Sequence, residues 1–312
     1  MSPREIAVFI ASAMVFCALA FLPVLDQGYW LAIGVSIASF VALATAWTLF
    51  SGPTHYVSLA SAAFFGVGAY VMAGLVDVLP WAALLLIAPL VGAALAAVVG
   101  LATLRLSGIY FVVFTLGLAE LIRQLVTWFQ TNFTTGVGLY VFTDITQPQI
   151  FRQLLVLCAA IYLVGWLINR SRLGFAMRII GNDELVAAHC GIDNARAKII
   201  LFMISGAFMA TVGAVMAPRW VYIEPAIAFN PLISFQVVIM ALLGGTRRLW
   251  GPLVGVIPFT FLFEAISAEF PNHTSLLIGL AFLLIVYLIP NGVTGLIETL
   301  WARGRRLGRA EE

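Results

Sequence analysis

Glu120 and Arg123 stand three residues apart in the run from Ile109 to Gln130, which otherwise carries no charge. At helical pitch, spacing i, i+3 places both on one helix face. With ~1.5 Å of rise per residue, Glu120 falls roughly 16 Å into a hydrocarbon core roughly 30 Å thick, near its centre. A charge at that depth is costly unless it meets a partner, a cavity or a solute. The pair therefore either lines a translocation path, where it would meet the charged groups of a polar solute, or forms a structural ion pair that pins helices together. Glu264 is a third candidate, toward the outer end of its own apolar run.

Catalytic signatures are missing from the rest of the chain. There is no GxxxxGK[ST] loop, so ATP binding of the P-loop kind is excluded and energy for any active process would have to come from elsewhere. His55, His189 and His273 are scattered, without a carboxylate at ligand spacing. Cys17, Cys158 and Cys190 form no CxxC. No catalytic residue, metal site or cofactor is expected, and the chain does not read as an enzyme.

The elements that position these residues follow from composition. Of 312 residues, 62% are hydrophobic and 10% charged, with a mean hydropathy of +1.07. Soluble chains carry roughly 45–50% apolar and about 25% charged residues. The chain is an all-α, polytopic membrane protein with no room for a large soluble domain. Sixteen Lys+Arg against 14 Asp+Glu, dispersed along the sequence, give no nucleic-acid footprint. Ten apolar runs are candidate spans: Ile6 to Leu22, Tyr29 to Phe50, Val57 to Val76, Trp81 to Leu104, Ile109 to Gln130, Gln153 to Ile168, Ile199 to Ala217, Leu232 to Leu243, Pro252 to Ala268 and Thr274 to Ile289. The third could begin as a re-entrant half-helix, and the eighth is short for a full crossing. Ten crossings put Arg4, Arg105, Arg170, Arg172, Arg178, Arg196, Lys198, Arg247, Arg248, Arg303, Arg305, Arg306 and Arg309 on one face, and Arg152 and Arg219 on the other. The positive-inside rule makes the first face cytoplasmic, with both termini inside. Residues 1–302 form one transmembrane domain and 303–312 a cytoplasmic tail.

The stretch Asn169 to Lys198 is the only substantial polar segment. It reads as a short helix over Leu173 to Ile180, a break at Gly181-Asn182, and a second short helix from Asp183 or Glu184 to about His189. Asn182 or Asp183 would cap that second helix, Gly191 would stand at C′, and Asp193 or Asn194 would cap the next span. A small surface helix bounded by Gly can dock into a partner's groove or serve as a solvated connector. In the third run, Ser58, Ala62, Gly66 and Ala69 form a small-residue stripe suited to close helix packing, with Gly68 off it. Gly244-Gly245 followed by Gly251-Pro252 and Gly255 marks a turn and restart, with Arg247 and Arg248 exposed. Thr134 to Gly138 reads as an irregular loop, and Glu224, Pro225 and Phe229 belong to another on the same side.

Taken in order, four segments resemble the permease subunit of branched-chain amino acid ABC transporters, the LivM type of the hydrophobic amino acid uptake family. SLASAAFFGVGAY (Ser58 to Tyr70) is similar to SLGHAAFFGIGAY. LRLSGIYFVVFTLGLAELIR (Leu104 to Arg123) resembles L-x-L-R-G-x-Y-x-x-x-x-T-L-x-x-x-E-x-x-R. Ser171 to Ala214 resembles the family's SRxGRAxxAIRdNExAAxAxGI segment and the span after it, and Leu242 to Val256 its GGxGTxxGPxxGA turn. The resemblance covers about residues 52 to 297. It implies a bacterial inner-membrane importer of branched-chain or related small amino acids. Its partners would be a second homologous permease, cytoplasmic ATPase subunits and an extracytoplasmic solute-binding protein. It also implies that Glu184, Ala187, Ala188, Gly191 and Asp193 belong to the segment that couples to the ATPase. The sequence departs from the pattern at Ala60-Ser61 (Gly-His in the family), at Phe175 (Arg), at TTGVGL and at Thr246-Arg247-Arg248. The alternatives are an ion-coupled secondary transporter or a passive channel for a small polar solute such as urea or an amide. No self-similarity at a fixed period supports the first.

Overall fold

A computed structural model describes residues 28–103, 108–133, 136–246 and 248–288. The elements are α1 (Tyr29–Thr54), α2 (Ser61–Leu75), α3 (Trp81–Thr103), α4 (Ile109–Phe133), β1 (Leu139–Tyr140), α5 (Gln147–Arg170), α6 (Arg172–Asn182), α7 (Glu184–His189), α8 (Asn194–Met216), β2 (Tyr222–Ile223), α9 (Pro225–Ala228), α10 (Pro231–Gly244), α11 (Gly251–Glu269) and α12 (Thr274–Leu288). Among the described residues, seven helical segments are long and apolar enough to cross a membrane: α1, α3, α4, α5, α8 with its 3₁₀ extension, α9–α10 taken together, and α11. The chain is an all-helical polytopic membrane protein. The first predicted span, Ile6 to Leu22, lies outside the described residues, as do the tail from Arg303 and Cys17.

α8 is the hub of the bundle, packed on α3, α2, α1 and α5. Its approach to α2 is made backbone to backbone. A Cβ on Gly68 would overlap the carbonyl of Ala210, and one on Gly213 the carbonyl of Phe65. Small residues permit such contact where lipid supplies no hydrophobic drive between helices. The predicted stripe on α2 is buried, but the tightest approach to α8 uses Gly68, the glycine read as off it. Gly66 instead makes room for the ring of Phe229, which stacks on Tyr70 at 5.5 Å. The sequence pattern places the stripe on a helix beginning near Val57, whereas the helix begins at Ser61, so Ser58 belongs to the non-helical approach.

That approach is the main departure from a simple ladder of spans. After His55 the chain runs without helix through residues 56–60 and back into the bundle. Ser58 carbonyl accepts from Trp47 Nε1 at 2.7 Å, and Trp47 lies two turns, ~10 Å, before the end of α1. Leu59 N–H donates to Thr115 Oγ1 of α4 (3.0 Å), and its carbonyl accepts from Ser234 Oγ of α10 (2.7 Å), which also accepts from Ala62 N–H (2.8 Å). These bonds satisfy backbone groups that hydrocarbon would leave unpaired. α2 is therefore a 15-residue helix that starts inside the bundle, and α10, at 14 residues, is preceded by the single turn of α9.

The ends of the bundle differ. At one end lie the C-termini of α1, α5 and α10, the N-termini of α8 and α11, and all of α6 and α7, with Arg170, Arg172, Arg178, Arg196, Lys198 and Arg248. Close contacts of Gly181 with Pro53, Gly52 with Thr246 and Gly165 with Leu249 hold this end together. At the other, β1 and β2 pair antiparallel, Leu139 with Ile223 and Tyr140 with Tyr222, closing the loops that precede α5 and α10. Gly138, at φ +121°, leaves no room for a side chain beside the Tyr222 ring.

Candidate functional site

The polar segment folds into two helices at an angle, and local chemistry sets their ends. Ser171 caps α6, its Oγ accepting from Gly174 N–H at 3.3 Å. α6 buries Gly174, Met177 and Ile180 and exposes Phe175. The break expected at Gly181-Asn182 lies one residue further on, because both are still helical. Gly181 serves packing instead, since a Cβ there would strike the Pro53 carbonyl. Asp183, extended at φ −158°, ends α6 and caps α7, accepting from Leu185 N–H (2.7 Å) and Val186 N–H (3.3 Å). α7 closes in a Schellman motif: Gly191, at φ +77°, donates to the Ala188 carbonyl (3.0 Å) and Ile192 N–H to the Ala187 carbonyl (3.1 Å). Asp193 then caps α8, accepting from Arg196 N–H at 3.1 Å, with Arg196 Nε on its other oxygen at 2.9 Å.

The five residues singled out here divide between two faces. Ala188, Gly191 and Asp193 are exposed, together with Leu185 and Val186, two apolar side chains at the surface that sequence reasoning passed over. Ala187 is completely buried. Glu184 turns toward its own chain: its Oε1 accepts from Tyr56 Oη at 2.8 Å and from Lys198 Nζ at 2.9 Å. Lys198 is 3% exposed. Its Nζ lies 3.3 Å from Tyr56 Oη and 4.6 Å from the centre of the Tyr56 ring, a cation–π contact that also shields the ammonium. Burial, reinforced by the Glu184 hydrogen bond, raises the pKa of Tyr56 above its ordinary value, so at neutral pH its hydroxyl is a fixed donor. Asn194 Nδ2 holds the Glu184 carbonyl at 2.7 Å. Neither Tyr56 nor Lys198 carries a sequence signal for this role, beyond Lys198 standing 14 residues after Glu184. A cleft of about 470 Å³ opens beside this cluster, lined by His55, Tyr56, Val112, Gly181 and Asp183 among others.

Glu120 and Arg123 are both on α4, and they pair with each other. Arg123 Nε donates to Glu120 Oε2 at 2.9 Å, Arg123 Nη2 donates to Oε1, and Gln124 Nε2 adds a bond to Oε1 at 2.9 Å. Among the described residues neither charged group reaches another helix. α4 buries Phe111, Thr115, Ala119 and Gln130 and turns Leu121, Leu125, Trp128 and Phe129 outward. The pair lies between these faces, Glu120 43% and Arg123 31% exposed. Glu264 is partly buried on α11, within electrostatic reach of Arg219, which donates to Ser36 Oγ of α1 at 3.2 Å. Cys158 is buried with Sγ on the Ala38 carbonyl at 3.4 Å, and Cys190 is exposed. No cluster able to hold a metal occurs among the described residues.

Comparison with known proteins adds the family. Residues 29–287 match the family described as branched-chain amino acid transport system, permease component. The high-affinity branched-chain amino acid transport system permease protein LivM, from both Salmonella typhimurium and Escherichia coli, is 26% identical over 266 residues, covering 74% of this chain and 61% of each relative. The chain thus spans less than two thirds of the length of those relatives. LivH of Escherichia coli is 27% identical over 129 residues, 41% of each chain. The L-arabinose permease protein AraH of the same organism is 27% identical over 121 residues, 38% of this chain and 35% of AraH. No solved structure matches. With the match extending over most of a many-helix membrane chain, the protein belongs to the branched-chain amino acid transport system permease family, a transport component and not an enzyme.

Proposed function

We propose that the chain is the membrane-spanning permease subunit of an ATP-driven ABC importer in a bacterial inner membrane, carrying branched-chain or related small amino acids into the cytoplasm. It crosses the membrane about ten times with both termini inside. It pairs with a second homologous permease, receives solute from an extracytoplasmic binding protein and is driven by cytoplasmic ATPase subunits. The amino-acid assignment leans on LivM, whose similarity covers far more of the chain than that of the arabinose protein.

The observation that carries this reading is the construction of α7. A six-residue helix is too short to persist alone in water, yet here it is capped at both ends, anchored by Ala187 and Glu184, and presents Leu185, Val186 and Ala188 outward. It stands at the Arg-rich end, which the positive-inside rule makes cytoplasmic. A rigid apolar knob on that face fits a groove in a partner. Its docking face is Leu185, Val186 and Ala188, with Gly191 and Asp193 at its margin. Glu184 and Ala187 act from the inner side.

Glu120 and Arg123 belong to the path at the seam with the second permease. A charged pair self-neutralised on one helix carries a smaller penalty than lone charges, but an outward face holding it suits protein or water better than lipid. Transport then follows alternating access, the helices pivoting as the ATPase dimer closes.

The test is ATP hydrolysis by the chain co-purified in nanodiscs with its candidate ATPases and binding protein, with and without leucine. Stimulation by loaded binding protein, abolished by Ala188→Trp, is expected. Ala188 is preferred to Gly191 for this probe because Gly191 occupies a left-handed conformation that any side chain would strain. If no ATPase co-purifies, the chain is a self-contained carrier or channel; if the tryptophan leaves stimulation unchanged, the ATPase docks elsewhere than on α7. Glu120→Gln is expected to lower uptake with thermal stability unmoved; intact uptake would exclude the pair from the path.

A further inference from the structure

Docking alone moves nothing: a displacement of α7 must reach the helices that line the path. Besides the packing of the buried Ala187, three links join α7 and the adjoining end of α6 to the bundle. Gly181, at the end of α6, lies against the Pro53 carbonyl of α1 with no space for a Cβ, which makes this crossing a fixed point. Asn194 Nδ2 holds the Glu184 carbonyl from α8. The last link is the Glu184 carboxylate, which receives Tyr56 Oη and Lys198 Nζ on the same oxygen.

We propose that Tyr56 and Lys198 are the positioning residues that pass movement of α7 into the membrane, Lys198 to the hub helix α8 and Tyr56 to the non-helical strap 56–60. The inference rests on the reading of α7 as the ATPase-docking helix. Lys198 is buried, and among the described residues its charge is met by Glu184 and Tyr56 alone. A buried ammonium that loses its carboxylate is strongly penalised, so Glu184 and Lys198 move together. Tyr56 opens the strap whose next residues are bonded to α1 through Trp47, to α4 through Thr115 and to α10 through Ser234, and which then becomes the first turn of α2. One carboxylate is thereby connected to α8, α1, α4, α10 and α2, and the cleft beside it leaves space for α7 to shift.

The experiment uses the complete complex in nanodiscs and reads three quantities: ATPase co-purified per permease, the ratio of binding-protein-stimulated to basal hydrolysis, and thermal stability. Tyr56→Phe keeps the ring under the ammonium and removes only the hydroxyl; Glu184→Gln removes the charge. The expected result is full ATPase retention in both, with the stimulation ratio down roughly tenfold in Glu184→Gln and a few-fold in Tyr56→Phe, within the ordinary range of coupling between sites. Exchanging the charges, Glu184→Lys with Lys198→Glu, should recover part of the stimulation lost in Glu184→Lys alone, and loss of stimulation in Glu184→Gln at unchanged thermal stability separates coupling from a purely structural role. If both single variants retain the full ratio, the proposal is overturned. Loss of bound ATPase in Glu184→Gln would also overturn it, because the carboxylate would then serve docking. Failure of the wild-type chain to bind ATPases at all would strike the docking reading instead, and Ala188→Trp separates that case from this one.

Discussion

Two acid–base pairs of this chain, Glu184–Lys198 and Glu120–Arg123, have opposite relations to the fold. Glu184 and Lys198 lie on different helices, meet a tyrosine from a third segment, and bury the ammonium. Glu120 and Arg123 lie one turn apart on a peripheral helix and satisfy each other. The first pair ties elements together, so its removal should disturb both stability and coupling. Among the described residues the second pair ties no other helix, so its removal should disturb packing less.

The sharpest way to break the comparison is to remove one partner from each pair. Glu184→Ala leaves the Lys198 ammonium buried without its carboxylate and should cost on the order of 3 kcal/mol, the low end for a buried pair because Glu184 itself is partly exposed. Glu120→Ala should cost under about 1 kcal/mol. Thermal unfolding in one detergent measures both, and equal losses would erase the distinction. Gly181→Ala forces a methyl group against the Pro53 carbonyl and should cost about 2 kcal/mol through overpacking. An unshifted transition would show that the α6 end is not fixed there. Asp183→Ala removes the α7 cap, about 1 kcal/mol, and should raise proteolytic cleavage between residues 184 and 190 while leaving α4 unaffected. Asp183→Asn, which retains a capping oxygen, should restore most of the resistance.

What the sequence made legible follows the range of each interaction. The ends of α7 and α8 were readable because capping is local: Asp183, Gly191 and Asp193 act on backbone groups within a few residues of themselves. Glycine's breaker chemistry predicts the break at Gly181-Asn182, whereas this glycine stays helical and answers to Pro53, 128 positions earlier in the chain. The same distance hid Tyr56 from Glu184. Gly66 and Gly68 could not be ranked without knowing where α8 and Phe229 lie. Nor could hydropathy separate centre from periphery: α1 is mostly buried, while the comparably apolar α4 and the more apolar α3 are mostly not. In a membrane both environments are apolar, so the contrast that orders a soluble core is absent.

We propose that an ATPase covers the outer face of α7. Cys190, exposed at the end of α7, reports on it directly, and Cys158 is buried. In a Cys17→Ser background, the rate of maleimide labelling at Cys190 should fall severalfold when the ATPase subunits are added to the permease, and recover when Ala188→Trp blocks docking. Labelling at one rate with and without ATPase, in a sample where the two proteins co-purify, would contradict the claim and place the contact elsewhere.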